Sequence, residues 1–433
     1  MQVQKPKQGY KKVKSLFGKH EEIPLEWELK TMREIADISA GGTPSRFRKE
    51  YWEDGTIPWL SSGEIRNNII SSSVEKITEL GLSESAAKLF PKGTVLIAIT
   101  GQGMTRGRTG LLDIESSTNQ SVVGIIPNQN MFNKFLWYYL QNQYWELRSI
   151  SQGSNQGGLN LKILGDYPIT LPSKIDEQQK IASILSNVDS LINQTQKIID
   201  QTIQLKKGLM QKLLTRGIGH IKFKKTEFGE IPINWNLVEL KDLVLTYRNG
   251  IYKPDKFYGN GYPSIRMFNI VGGRIIKEKA PLLQVDEQEL TDYGLLAGDI
   301  VINRVNSDYL VGKAGIVTDD LGLATFESKN IRVRLDTKKC IPNFINIFFS
   351  TQDYFKQIRS FIKTAVAQVT INQDDLNQIR IKLPSLPEQQ KIASILSNVD
   401  SQIQKHQDNK KKLETLKKGL MQKLLTGQIR VKT

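Results

Sequence analysis

The chain has a single cysteine, Cys340, among 433 residues. No internal disulfide can form, which fits a reducing compartment and a cytoplasmic protein. Histidine is nearly as scarce: His20, His220 and His406 stand far apart. One thiol and three scattered imidazoles exclude zinc fingers and Cys/His zinc deaminase sites, which need closely spaced ligands. No apolar run reaches the roughly 18 residues that would suggest a membrane-spanning helix. The Lys-rich start, MQVQKPKQGYKKVKSLFGKH, is not followed by an apolar segment and does not read as a secretory signal. There is no G-x-x-x-x-G-K-[ST] loop, and GQGMTRG at 101–107 lacks the G-x-G-x-x-G spacing. No Asn/Asp-Pro-Pro-aromatic tetrad of a methyltransferase is present. Pro254-Asp255 has no Glu-x-Lys at a nuclease-like distance, because Glu327-Ser328-Lys329 lies far downstream. The carboxylates form no recognisable acid/base pair. These absences argue against catalysis by this chain.

Positive charge is what the chain has in excess. Lys and Arg number 60 against 44 Asp and Glu, a formal net charge of +16. Charge alone allows a merely basic soluble protein or one with a polyanionic partner, nucleic acid foremost. Residues 1–20 carry lysines at 5, 7, 11, 12, 14 and 19 and no acid, and read as a disordered basic tail.

The chain is also duplicated. EQQKIASILSNVDS at 177–190 recurs letter for letter at 388–401, 211 positions on (388 − 177). LKKGLMQKLLT at 205–215 recurs at 416–426 with the same offset. A constant offset over this span is what one continuous helix demands, since an insertion would rotate its far end. Ile181, Val188, Thr195, Thr202 and Leu209 fall seven apart, with Ile184, Leu191, Ile198 and Leu205 between them. Prolines precede each segment, and Glu177 and Glu388 follow near the positive helix end. A helix of this length exceeds ordinary domain needs and suits a spacer. Gln404 to Lys412, QKHQDNKKK, has no apolar residue. It reads as a solvated face or a break; in an antiparallel pair it would instead form a polar layer setting Thr195 and Thr202 against His406 and Asn409.

Upstream of each repeated segment lies a block of roughly 150 residues, a domain-sized length. Landmarks recur in order: EIPLEW at 22–27 with EIPINW at 230–235, IPWLSSGEI at 57–65 with YPSIRMFNI at 262–270, KGTVLIAIT at 92–100 with AGDIVINRV at 297–305, NKFLWYYL at 133–140 with NFINIFFS at 343–350. The first three pairs read as strands with turns, the last as a buried helix. The expected fold class is α+β. It comprises a basic tail (1–20), a mixed α/β block (21–172), a spacer helix (173–219), a second block (220–384) and a second spacer helix (385–433). The two helices form an antiparallel coiled coil with internal pseudo-twofold symmetry. Like cores with unlike loops suggest one scaffold presenting two surfaces. The duplicated helices would offer one docking face twice, through Ile181, Ile184, Val188 and Leu209 and through Ile392, Ile395, Val399 and Leu420.

GGTPSRFRKEYWEDGTIPWLSSGEI (41–65), GDIVINRVNSDYLVGKAGIV (298–317), LPSKIDEQQKIASIL (171–185), LPSLPEQQKIASIL (383–396) and LKKGLMQKLLTG (416–427) carry a resemblance. In this order and duplicated, they resemble the specificity subunit of type I restriction–modification enzymes over nearly the whole chain. The first copy departs by one residue, Arg216 before Gly217. The resemblance implies two target-recognition domains, each reading one half of a bipartite site in double-stranded DNA. It implies two methyltransferase subunits docked on the long helices, and restriction subunits joining them. S-adenosylmethionine, ATP and magnesium would then bind those partners and not this chain. A DNA-binding adaptor or repressor-like protein without such partners is the main alternative, and a coiled-coil scaffold without nucleic acid a third.

Reading DNA takes cations for phosphates and forked or amide side chains for base edges. In the first block the candidates are Thr43, Ser45, Arg46, Arg48 and Lys49; Arg66; Gln102, Thr105, Arg106 and Arg108 in the Gly-rich stretch 100–110; and Ser154, Asn155 and Gln156 in SQGSNQGG. SQGSNQGG reads equally well as a linker. In the second block they are Arg248, Lys253 and Lys256; Arg266 and Asn269; Arg304, Asn306, Tyr309 and Lys313; and Lys363, Gln368 and Thr370. The aromatics of FLWYYL and FINIFF read as core.

Overall fold

The computed structural model describes residues 7–14, 20–101, 103–152, 159–362 and 369–431. The chain forms two compact units. The first comprises residues 1–197 and 407–433, the second residues 198–406.

The first unit is built on a five-stranded sheet in the order Ala36–Ala40, Val122–Pro127, Val95–Ala98, Thr109–Leu112, Asn68–Ile70. Its pairs are antiparallel except the last. Val95–Ala98, the core of KGTVLIAIT, is buried at every position, as a continuous apolar run requires. A four-stranded sheet adds Glu75–Ile77, Ile57–Leu60, Ser116–Thr118 and Leu89–Phe90. Helix Asn133–Asn142 buries Phe135, Leu136, Trp137, Tyr138, Tyr139 and Leu140, so FLWYYL is core.

The second unit repeats the plan. Its six-stranded sheet runs Val244–Asn249, Asn330–Leu335, Ile300–Asn303, Ala314–Ile316, Arg274–Ile275, Ile270–Val271. The first five strands repeat the order of the first unit, with AGDIVINRV supplying the buried centre, and Ile270–Val271 adds a sixth at the edge. Helix Pro342–Phe348, from NFINIFFS, buries Phe344, Ile345, Ile347 and Phe348.

The two long helices are continuous, Ile175–Arg216 with 42 residues and Leu386–Leu424 with 39. At 1.5 Å per residue they measure about 63 Å and 58 Å. In the first unit Lys417 meets Asp189 at 2.7 Å and Lys410 donates to Gln196 at 2.7 Å. Seven residues up one helix match seven down the other, so these segments are antiparallel. In the second unit Lys206 meets Asp400 at 2.6 Å. The offset of 211 carries Asp189 to Asp400 and Lys206 to Lys417, so each ion pair is the repeat copy of the other.

The duplicated letters anchor each unit's block to its helices. Trp27 donates its indole N–H to Glu177 at 3.3 Å, and Trp235 donates to Glu388 at 3.0 Å. Gln178 accepts from the Phe132 N–H at 2.8 Å and Gln389 from the Ile341 N–H at 2.8 Å. Both glutamines are fully buried. Ile181, Ala182 and Leu185 enter the core around Trp27 and Phe135, and Ile392, Ala393 and Leu396 that around Trp235 and Phe344. Each such apolar side chain contributes about 1.5–3 kcal/mol relative to exposure, alanine less.

Three expectations need correction. Residues 1–20 are not a tail throughout, because Tyr10–Lys14 pairs antiparallel with His20–Pro24 and Tyr10 donates to the Gly427 carbonyl at 2.9 Å. Of the readings offered for 404–412, the structure bears out the solvated helix face and not the break or the threonine layer. The stretch is helical and mostly exposed, and Thr195 and Thr202 return their hydroxyls to the carbonyls of Leu191 and Ile198. The proposed docking residues Ile181, Val188 and Ile392 are buried, while Ile184, Leu209 and Leu420 pack against the cores and Val399 is half-buried. A heptad seam is filled by the chain's own blocks and partner helix before any third body can reach it. Of that set only Ile395 is exposed; the other exposed apolar positions are Leu191, Ile198, Ile203, Leu205 and Leu416.

Candidate nucleic-acid interface

In each unit three loops meet at one end of the main sheet. In the first, loop 41–49 leaves strand Ala36–Ala40, loop 99–108 follows Val95–Ala98, and turn 119–121 precedes Val122–Pro127. They are stitched together by Gly42 N–H to the Thr118 carbonyl (2.8 Å), Ile99 N–H to the Ser121 carbonyl (2.9 Å) and the Thr43 hydroxyl to Gln120 Oε1 (2.5 Å). In the second unit, Ile251 N–H reaches the Phe326 carbonyl (2.9 Å) and Arg304 N–H the Lys329 carbonyl (2.9 Å). Ile371 N–H adds Thr370's neighbourhood by bonding the Arg304 carbonyl (3.0 Å). The middle turn, with exposed Gln120 in one unit and exposed Lys329 in the other, is absent from the sequence-based candidates. No compositional bias marks it; only its position before the matching strand would have.

The loop after the central strand is braced from behind in both units. Gly107 and Gly312 sit at φ +83° and +82°, where a β-carbon is strained. A Cβ on Gly312 would come within 3.0 Å of Ile358, and one on Gly107 within 3.5 Å of Tyr144 and Arg148. Tyr144 donates its hydroxyl to the Met104 carbonyl at 2.9 Å, and Arg148 reaches the Arg106 carbonyl at 3.4 Å. Tyr354 does the same for the Gly312 carbonyl at 2.8 Å, and burial drives its phenol strongly upward in pKa. These positioning residues lie on the helix after the buried one in both units, a repeat relation legible only once the loops are located.

The fate of the candidate cations divides sharply. Arg46 makes two bonds to Glu75 (2.6 and 2.9 Å) and lies 3.5 Å from the Trp52 ring centroid; its guanidinium holds the Glu75 carboxyl below the usual range. Arg48 is engaged by Glu50, Glu84 and the Tyr51 hydroxyl. In the second unit Arg248 pairs with Asp292 at 3.2 Å and Arg266 with Glu327 at 3.6 Å. Lys253 is only 15% exposed and bridges to Glu289 at 2.5 Å. These five shape the loops, and the expectation of phosphate contacts is corrected for Lys253 in particular. Asn269 is fully buried, accepting from Arg266 N–H and donating to the Glu278 carbonyl, so it cannot read bases. Asn306 bonds Asn303 and the Ser307 N–H and is half-buried.

The surface therefore presents a shorter set. Ser45, Lys49 and Arg66 are exposed in the first unit, and Thr105, Arg106 and Arg108 half-buried at the Gly-rich turn. In the second, Lys256, Tyr309 and Thr370 are exposed, with Arg304 and Lys313 half-buried. Gln102, Ser154, Asn155, Gln156, Lys363 and Gln368 lie outside the described residues. Among the described residues no group of three or more His, Cys, Asp or Glu is arranged to hold a metal, and no helix is long and apolar enough to cross a membrane.

A family profile described as the type I restriction modification DNA specificity domain matches residues 24–204 and 232–415. The chain is 32% identical over 416 residues to the type I restriction enzyme MjaVIII specificity subunit of Methanocaldococcus jannaschii, covering 95% of this chain and 94% of that one. It is 23% identical over 381 residues to the EcoKI specificity subunit of Escherichia coli K12, covering 86% and 81%. Among solved structures, the S subunit of a type I restriction–modification system from M. genitalium shares the fold, with a TM-score of 0.57 at 14% identity over 92% of this chain and 96% of that one. With one profile matching both halves and a relative sharing 32% of its residues along nearly the full length, the chain belongs to the type I restriction–modification DNA specificity family.

Proposed function

We propose that this chain is the non-catalytic recognition subunit of a type I restriction–modification complex and reads a bipartite target in double-stranded DNA, one half-site per unit. The observation that carries this reading is a single strand order built twice and topped by two differently furnished loop clusters. Arg66, Thr105, Arg106, Arg108 and Gln120 serve one half-site; Lys256, Arg304, Tyr309, Lys313 and Lys329 serve the other. Arginine forks suit guanine edges, and lysines suit phosphates. Target-recognition blocks span 21–172 and 220–384, separated by spacer helices at 173–219 and 385–433. Two methyltransferase subunits dock on the exposed helix positions, where Leu205 and Leu416 are repeat mates, and restriction subunits join that core. S-adenosylmethionine, ATP and magnesium are held by those partners, in keeping with the missing motifs here, and the complex is cytoplasmic.

The test is methylome sequencing of cells expressing the chain with the methyltransferase encoded beside its gene. One bipartite motif is expected, absent when either gene is omitted. Arg106→Ala with Arg108→Ala should relax one half-site by about 1–3 kcal/mol per lost bidentate contact and leave the other intact. Methylation by the purified chain alone, or a motif that is continuous, would overturn the reading.

A further inference from the structure

Phe47 stands 99% exposed at the tip of a turn that the rest of its loop holds rigid. Arg48 N–H closes the turn onto the Ser45 carbonyl at 3.3 Å, and the Trp52 indole donates to the same carbonyl at 3.1 Å. The flanking guanidiniums are both engaged by neighbours, Arg46 by Glu75 and Trp52, Arg48 by Glu50 and Glu84. Behind the loop, a Cβ on Gly42 would fall 2.2 Å from the backbone of Ala86, so the loop is pressed against its support. The residue a charge-based reading would skip is itself almost wholly exposed.

The second unit does the same with different letters. Tyr252 is 79% exposed in the corresponding loop, between buried Ile251 and Lys253, whose ammonium is bonded to Glu289 and the Gln284 carbonyl. Each loop opens with its backbone bonded to the end of a short strand of the smaller sheet, Gly42 to Thr118 and Ile251 to Phe326. Each thus carries a large ring on a fixed stalk at the edge of the base-reading cluster. A ring held in water by a rigid loop forgoes burial that a flexible loop would capture by folding back.

We propose that Phe47 and Tyr252 are base-contacting residues, one for each half-site, whose rings enter a DNA groove and pack on base edges such as the thymine methyl. The inference rests on the reading of the two units as DNA-recognition units. Apolar packing on bases adds sequence preference without neutralising a phosphate, so it alters specific affinity and not the salt dependence.

The experiment uses the full complex with its methyltransferase subunits, comparing Phe47→Ala, Tyr252→Ala and the unaltered chain on the methylome motif and on a random duplex. Phe47→Ala should weaken specific binding about tenfold to a hundredfold, the range for unburying a phenyl ring. Random-duplex affinity and the salt slope should stay unchanged, and the methylome should relax at one half-site only; Tyr252→Ala should relax the other. Phe47→Leu should recover part of the loss. Specific affinity within twofold of the unaltered complex would overturn the inference, as would equal losses on both duplexes or weakened assembly with the methyltransferase. Both side chains are solvent-exposed, and circular dichroism melting confirms that the variants fold. If the unaltered complex itself shows no bipartite motif, it is the DNA-reading assignment that fails.

Discussion

Arg430 closes the first unit, and removing its side chain tests how that unit is held. Its guanidinium donates to Glu177 at 2.7 and 2.9 Å and to Glu26 at 2.5 Å. Glu177 is buried, and its remaining partner is the Trp27 indole at 3.3 Å. Arg430→Ala therefore leaves a carboxylate in the core with one long hydrogen bond. Deleting one member of a fully buried pair costs about 3–5 kcal/mol. Arg430 is 35% exposed, so water can reach the vacated side, which lowers the expected loss to about 2–3 kcal/mol. A two-unit protein does not melt in one two-state step, so the assay is local hydrogen exchange. Amides of 20–31 and 177–185 should exchange roughly 30- to 160-fold faster, at 1.36 kcal/mol per tenfold. Protection at 229–239 and 388–396 should not change, because there Glu388 is served by His220, Trp235 and the Ile218 N–H. Lysine at 430 should recover only part, since a point charge cannot match a fork. Acceleration below threefold, or equal acceleration in both units, refutes the argument.

Other consequences follow from single contacts. Tyr144→Phe removes the hydroxyl that holds the Met104 carbonyl; losing about 1 kcal/mol of bracing should weaken unit-one half-site recognition about fivefold, with the other half-site as internal control. Burial pushes the Cys340 thiol up to about 12, so alkylation at pH 8 should run about a thousandfold slower than for a free thiol until the unit unfolds. The Glu75 carboxyl is held low by Arg46, so the ion pair is complete above the ordinary value of about 4.3 and is lost as pH falls through the lowered one. A fluorotryptophan resonance at Trp52, under the Arg46 guanidinium, should therefore shift only at acid pH, and Arg46→Gln should abolish that shift.

The duplication, the order of landmarks and the extent of the long helices were legible in the sequence because they are local or repetitive properties. A 211-residue offset needs no coordinates, and a seven-residue period reports a helix from the letters themselves. The resemblance rested on that same order, and it named the family. What the repeated letters do was not legible. EQQKIASIL reads as a docking surface, yet Glu177, Gln178, Ile181 and Leu185 are consumed in joining helix to block. A heptad pattern reports that one face is buried and is silent on what buries it.

The candidate site divides the same way. The sequence by itself determined which loops carry positive charge, that two unlike sets exist, and that they ride on one scaffold. Only the tertiary structure decided which of those charges face outward. Arg46 is neutralised by a residue 29 positions away, and Thr43 is tied to Gln120 across 77. The Arg430–Glu177 pair spans 253. Whether an arginine is a probe or a strut depends on carboxylates that the fold brings to within about 3 Å, and an ion pair leaves no period in the sequence. Phe47, without charge, is not legible as a site residue for the converse reason: a phenylalanine is expected in a core, and its exposure follows from a rigid turn that cannot fold the ring back.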